Sequence, residues 1–185
     1  MKLVHAFHVT FFLLLLHVAA AQGVVINQAI TEEDVLAAQQ GWCEALTSIS
    51  ATYASDGFEA AQALAGDIID AAYGYQMGAV LFKPTLTTYP QTFRITREGA
   101  LSYFVGGNPD FPDDFGFALQ GWVGCEVDNA AVFITGESAT TMGNVHLRND
   151  AEEVTTVDKT WKFVRDDVGA LRIVTHHSSL PFAAN

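Results

Sequence analysis

The sequence predicts an α+β fold, with helices packed on the concave face of a curved antiparallel sheet. Three observations carry that prediction. Apolar residues recur at helical spacing between residues 35 and 73. From residue 116 onward the period changes to two. Turn signals then divide the second half: Asp128-Asn129, Gly136-Glu137, Asn149-Asp150, and Asp166 to Gly169.

Residues 22–30 read as an extended lead-in. Thr31 is a helix N-cap, and Glu32, Glu33 and Asp34 suit the positive end of the helix dipole. Val35, Trp42, Leu46, Ile49 and Tyr53 follow at spacings of seven, four, three and four, one face of a long helix. Ser55-Asp56-Gly57 breaks it. A second helix places Phe58, Leu64, Ile68 and Tyr73 inward and ends near Gly74. Residues 79–82 form a short apolar strand limited by Pro84, and 92–95 alternate as another. Thr96 caps a third helix from Arg97 to about Val105, which Gly106-Gly107-Asn108-Pro109 ends. The meander strands are expected at 117–127, 130–136, 138–148, 153–165 and 169–178. Helices across the concave face of such a sheet enclose a cone with a pocket, the general shape of the nuclear-transport-factor-two-like folds. A fold alone names no function.

The N-terminus reads as a signal peptide over 1–21. Lys2 is the only charge before Glu32, 9–18 is apolar except for Thr10 and His17, and Ala19-Ala20-Ala21 supplies small residues for cleavage. The apolar stretch falls short of the roughly 20 residues of a membrane span. Residues 22–185 then form a single domain, periplasmic or secreted, with no membrane contact after cleavage. That mature chain holds 8 Lys and Arg against 21 Asp and Glu, a net charge of −13. So acidic a chain repels nucleic acid, which is excluded as a partner. Half of all residues are hydrophobic, ample for a core. Cys43 and Cys125 stand in apolar surroundings; a disulfide and two buried thiols are both open.

The mature chain has three histidines, His146, His176 and His177. A catalytic zinc site needs three protein ligands. His176 and His177 are adjacent in a strand and point to opposite faces, so no zinc set forms, and no cofactor or metal is expected. In the strand end Thr175-His176-His177-Ser178-Ser179, His176 and Ser178 share a face. Alternation does not say which face is the pocket, and a polar strand end is usually just solvated. Tyr103 sits among Leu101, Phe104 and Val105, so its hydroxyl needs a buried partner; composition by itself favours a core tyrosine.

The segments KPTLTTYPQTFR, EGALSYFVGG, DKTWKFVRDD and IVTHHSSLPF together resemble the iota-class carbonic anhydrases. These group with the calcium/calmodulin-dependent kinase II association-domain-like proteins. The resemblance covers roughly residues 30–183. Leu180 stands where a methionine often follows the serines. By this resemblance, Thr85, Tyr103, His176 and Ser178 surround bicarbonate in the cone, and metal-free members are known. The implied function is the reversible hydration of carbon dioxide, with carbon dioxide and bicarbonate as partners, in a homodimer. The hydroxyls of Thr85, Tyr103 and Ser178 hold water and the developing bicarbonate, and His176 orients a serine or passes a proton. The base is not evident: hydroxyls are poor bases, and nothing in the pattern lowers the pKa of water as zinc does. Two alternatives remain: a non-catalytic association or small-ligand module, and an acid–base enzyme such as an isomerase using Asp70 or Glu98.

Overall fold

A computed structural model describes residues 23, 24 and 26–183; the segment read as a signal peptide lies outside the described residues. Helix α1 runs Glu32–Asp56 and α2 runs Phe58–Ala72. Strand β1, Leu81–Lys83, and helix α3, Arg97–Val105, precede four long strands. These are β2, Trp122–Thr135; β3, Ser138–Asn149; β4, Val154–Arg165; and β5, Leu171–Ser179.

Capping explains the helix starts. The Thr31 hydroxyl accepts from the Asp34 N–H at 3.2 Å, and Asp34 Oδ2 accepts from the Thr31 N–H at 2.9 Å, a reciprocal capping box. Thr96 caps α3 by accepting from the Gly99 N–H at 3.1 Å. Gly57, at φ 84°, joins α1 to α2 in a conformation an L side chain resists.

The sheet order is β1-β5-β4-β3-β2, antiparallel except for β1, which lies parallel to β5. The expected break at Asp128-Asn129 is a bulge inside one continuous β2, not a turn between two strands. The close approach there explains Gly143: a Cβ would collide with the Asp128 carbonyl. Two further register shifts fall at Trp122/Gly124 and Lys162/Phe163. Residues 92–95 form no strand; the Arg94 N–H donates to the Phe82 carbonyl at 2.9 Å in a single contact.

The three helices pack on the inner face of the sheet, as the period change predicts. Tyr53, expected inward, is exposed. In α2 the buried residues are Ala61, Ala65, Gly66 and Ile69, while Phe58 is exposed and Leu64 and Ile68 are half-buried. Leu64 and Ile68 still pack against the core and Tyr73 is buried, as expected; the expectation fails at Phe58. Cys43 and Cys125 form a disulfide that ties α1 to β2. Gln39 of α1 donates to Asn129 at 2.9 Å and Thr141 at 3.2 Å, a polar tie at the bulge.

Candidate active site

Most of the candidate residues gather where β1, β5 and β4 meet under the helices. Alternation along β5 turns His176 and Ser178 inward and His177 outward. On β4 the same alternation turns Val157, Lys159, Trp161 and Phe163 inward. Register then sets two rows across the inner face. Phe82, His176 and Trp161 form one; Ser178 and Lys159, paired across β5 and β4, form the next. Thr85, just past β1, extends the second row: its hydroxyl donates to Ser178 Oγ at 2.6 Å. Lys83 Nζ donates to the Ser178 carbonyl at 3.0 Å and holds the end of β5.

Tyr103 reaches the same place from α3. Its ring is edge-on to Phe82 at 5.6 Å and stacked on Phe117 at 5.4 Å. Its hydroxyl is buried without a hydrogen-bond partner among the described residues. Burial pushes its pKa up to about 12, while Leu86 and Thr85 beside it act in the opposite sense. The group stays protonated at neutral pH and is a committed donor. It lines an open cavity of about 240 Å³ together with Leu86, Asp114, Phe115 and Phe117. The far wall of this cavity is pinned by a buried ion pair, Arg94 to Asp114, at 2.6 Å and 3.2 Å, with Phe111 under the guanidinium at 4.6 Å.

Of the residues singled out from the sequence, Thr85, Tyr103 and Ser178 come together. His176 does not hydrogen-bond to Ser178. Its ring stacks on Phe82 at 4.5 Å, and its two nitrogens are occupied elsewhere. Nδ1 lies 2.9 Å from the Tyr73 hydroxyl, and Nε2 lies 3.0 Å from Lys159 Nζ. Tyr73 in turn accepts from Trp42 Nε1 at 3.0 Å. Burial, then the nearby Lys159, pushes the His176 pKa well below its ordinary value, so the ring is neutral.

Sequence reasoning missed Lys159, Tyr73, Trp42 and the Arg94–Asp114 pair as parts of the site. One signal for Lys159 was present: it occupies an inward position between Val157 and Trp161, where a lysine is out of pattern. The others come from elements far apart in the chain. Asp70 and Glu98, the candidates for an acid–base enzyme, lie outside the pocket; Asp70 is paired with Arg97 at 2.5 Å on the surface. Among the described residues no three His, Cys, Asp or Glu side chains cluster as metal ligands.

A family described as metal-independent carbonic anhydrase matches residues 33–180. A protein named metal-independent carbonic anhydrase from Nostoc sp. (strain PCC 7120 / SAG 25.82 / UTEX 2576) is 60% identical over 158 residues, 85% of this chain and 77% of that protein. The crystal structure of an iota-carbonic anhydrase from a cyanobacterium, complexed with bicarbonate, superposes with a TM-score of 0.87. Its sequence is 58% identical, and the match covers 89% of this chain and 100% of that one. A putative calcium/calmodulin-dependent protein kinase II association domain from Xanthomonas campestris shares the fold, with a TM-score of 0.55 at 18% identity over 88% and 97% of the two chains.

Proposed function

Because the chain belongs to the metal-independent carbonic anhydrases, we propose that its reversible hydration of carbon dioxide runs in the cone, on the hydroxyls of Thr85, Tyr103 and Ser178. The hydroxyl accounting carries this reading. Thr85 donates to Ser178 Oγ, which leaves the Ser178 O–H available as a donor. The Tyr103 O–H is a second donor, buried and unpartnered among the described residues. A buried donor without a partner costs about 1–3 kcal/mol, which a bound oxygen atom recovers.

Hydration forms a C–O bond from water to carbon and moves charge onto the substrate oxygens. Donors already in place stabilise that charge without reorganising. Leu86, Phe115 and Phe117 give the cavity at Tyr103 apolar walls that suit carbon dioxide. Bicarbonate, which the cyanobacterial relative holds in its crystal structure, offers oxygens to the same donors. His176, bound to Tyr73 and Lys159, orients the network behind the pocket rather than touching the anion.

The test is stopped-flow hydration with a pH indicator on chelator-treated protein, beside Tyr103→Phe and Ser178→Ala. Removing a single donor of this kind lowers the rate by about 100-fold. Variants with wild-type rates sink the hydroxyl reading. A folded wild-type protein with no activity returns the chain to the binding-module reading.

Two further readings belong here. The chain is secreted or periplasmic: the Cys43–Cys125 disulfide suits an oxidising compartment, as the apolar N-terminus does. It is a homodimer that pairs through the outer sheet face, where Val123, Phe133, Met142 and Val154 are exposed. Light scattering of the mature protein tests the second; a mass near the 20.0 kDa of the full single chain, rather than about twice that, refutes it.

A further inference from the structure

Hydration of carbon dioxide releases a proton at every turnover, and the hydroxyls of the pocket are poor bases. We propose that Asp113, at the rim of the Tyr103 cavity, accepts that proton and passes it to solvent; this rests on the hydroxyl-pocket reading above.

Two open cavities adjoin at the site. One, of about 240 Å³, has Tyr103 in its wall; the other, of about 310 Å³, is lined by Thr87, Gln91 and Arg94. Leu86, Asp113, Asp114 and Phe115 belong to both walls. The titratable groups of the two cavities are therefore Tyr103, Arg94, Asp113 and Asp114. Tyr103 keeps its proton at neutral pH. Arg94 has donors only. The Asp114 side chain is 2% exposed, and each of its carboxylate oxygens receives an N–H of Arg94, at 2.6 Å and 3.2 Å. Asp113 is exposed, and among the described residues it enters no ion pair. Its carboxylate is the one on these walls whose lone pairs stand open to water.

The buried bases behind the pocket are spent on one another. Trp42 Nε1 gives its proton to the Tyr73 oxygen at 3.0 Å, and the Tyr73 hydroxyl gives its own to His176 Nδ1 at 2.9 Å. The imidazole proton then sits on Nε2 and faces the lone pair of Lys159 Nζ, 3.0 Å away. Neither His176 nor Lys159 lines either cavity.

The chain around Asp113 is anchored. Its neighbour Asp114 turns inward onto Arg94, with Phe111 under the guanidinium at 4.6 Å. The Asp114 N–H donates to the Phe111 carbonyl at 3.1 Å. The Asp114 carbonyl packs against Gly106, where a Cβ would come within 3.0 Å of it. A buried ion pair contributes little net stability. Here it fixes a rim that carries Asp113 on one side and Phe115 on the other, and a group on a fixed segment is held closer to its working position than one on a loose loop.

In the step, a water oxygen bonds to the carbon of carbon dioxide. One C=O electron pair moves onto oxygen, and the Tyr103 and Ser178 donors stabilise the C–O⁻ that forms. The water O–H breaks, and its proton bonds to a carboxylate oxygen of Asp113, directly or through one further water. Asp113 is then neutral while bicarbonate carries the charge. Loss of the proton to buffer restores the carboxylate, and its like charge favours release of the anion. One turnover thus yields bicarbonate and protonated buffer.

The test is stopped-flow hydration by the wild type, Asp113→Asn and Asp113→Ala at low buffer concentration, then with added imidazole as an outside proton acceptor. Carbon-13 NMR of added bicarbonate measures anion binding in parallel. Asp113→Asn is expected to lose about 100-fold in both kcat and kcat/KM, the usual size of a general-base effect, and to bind bicarbonate at least as tightly as the wild type. Asp113→Ala leaves room at the rim and is expected to regain rate as imidazole is added, while the wild type gains little. An Asp113→Asn rate equal to that of the wild type overturns the proposal. So does a loss that imidazole fails to restore in Asp113→Ala, or a loss accompanied by weaker bicarbonate binding. Tyr103→Phe and Ser178→Ala separate the two readings: full activity in both sinks the hydroxyl pocket, whereas loss in both beside a wild-type rate in Asp113→Asn sinks the carboxylate alone.

Discussion

Replacing Lys159 by Met should make the protein more stable at neutral pH, and the size of the gain follows from the buried amine. Its pKa falls from an ordinary 10.5 to about 7 on folding. The unfolded chain therefore binds more protons than the folded one between those values, and stability rises with pH across that window. At pH 7 keeping this amine inside costs about 4 kcal/mol, at pH 9 about 2 kcal/mol, and above pH 10.5 almost nothing. Methionine fills nearly the same volume and carries no charge. It also leaves His176 Nε2–H without its acceptor, at about 2 kcal/mol. The net expectation is a gain of about 2 kcal/mol at pH 7, about zero at pH 9, and a loss of about 2 kcal/mol above pH 10.5. Urea unfolding of both proteins at pH 7 and pH 9, with the disulfide intact, reads these differences from the midpoints. A variant destabilised equally at both pH values would refute the reasoning, because it would mean that Lys159 folds as a paired cation.

Three other perturbations have expected outcomes. Asp114→Asn leaves Arg94 buried with its charge uncompensated and should cost about 3–5 kcal/mol, seen as a lowered urea midpoint. Cys43→Ala with Cys125→Ala opens a closure spanning 82 positions and should cost up to about 4–5 kcal/mol; reduction by dithiothreitol should lower the thermal midpoint likewise. Gly143→Ala forces a Cβ into the Asp128 carbonyl and should destabilise by at least about 2 kcal/mol, whereas Gly136→Ala, with open space around its Cβ, should cost less in the same assay.

Much of the fold was legible because local rules act within a few residues. Thr31 and Thr96 cap helices by reaching three positions ahead, and period two marks β3, β4 and β5 to within a few residues of their ends. The misreadings arose where packing overrides local pattern. Phe58, expected inward on α2, is exposed, while Ala61, Ala65 and Ile69 are buried there. Asp128-Asn129 carries turn chemistry but is a bulge, because β2 pairs with β3 on both sides of it. Residues 92–95 alternate like a strand but meet no partner strand to complete a ladder.

The site divides along the same line. The sequence by itself determined the α+β order and that His176 and Ser178 share a face of β5, and its resemblance to a known family grouped Thr85, Tyr103, His176 and Ser178. Only the tertiary structure decided which face became the pocket, that Cys43 meets Cys125, and that His176 answers to Tyr73 and Lys159 rather than to Ser178. The reason is separation: Tyr73 and His176 are 103 positions apart in the chain, and Thr85 and Ser178 are 93 apart. Strand period places a side chain on a face, but register between strands chooses its neighbours, and the chemistry of a buried lysine belongs to those neighbours.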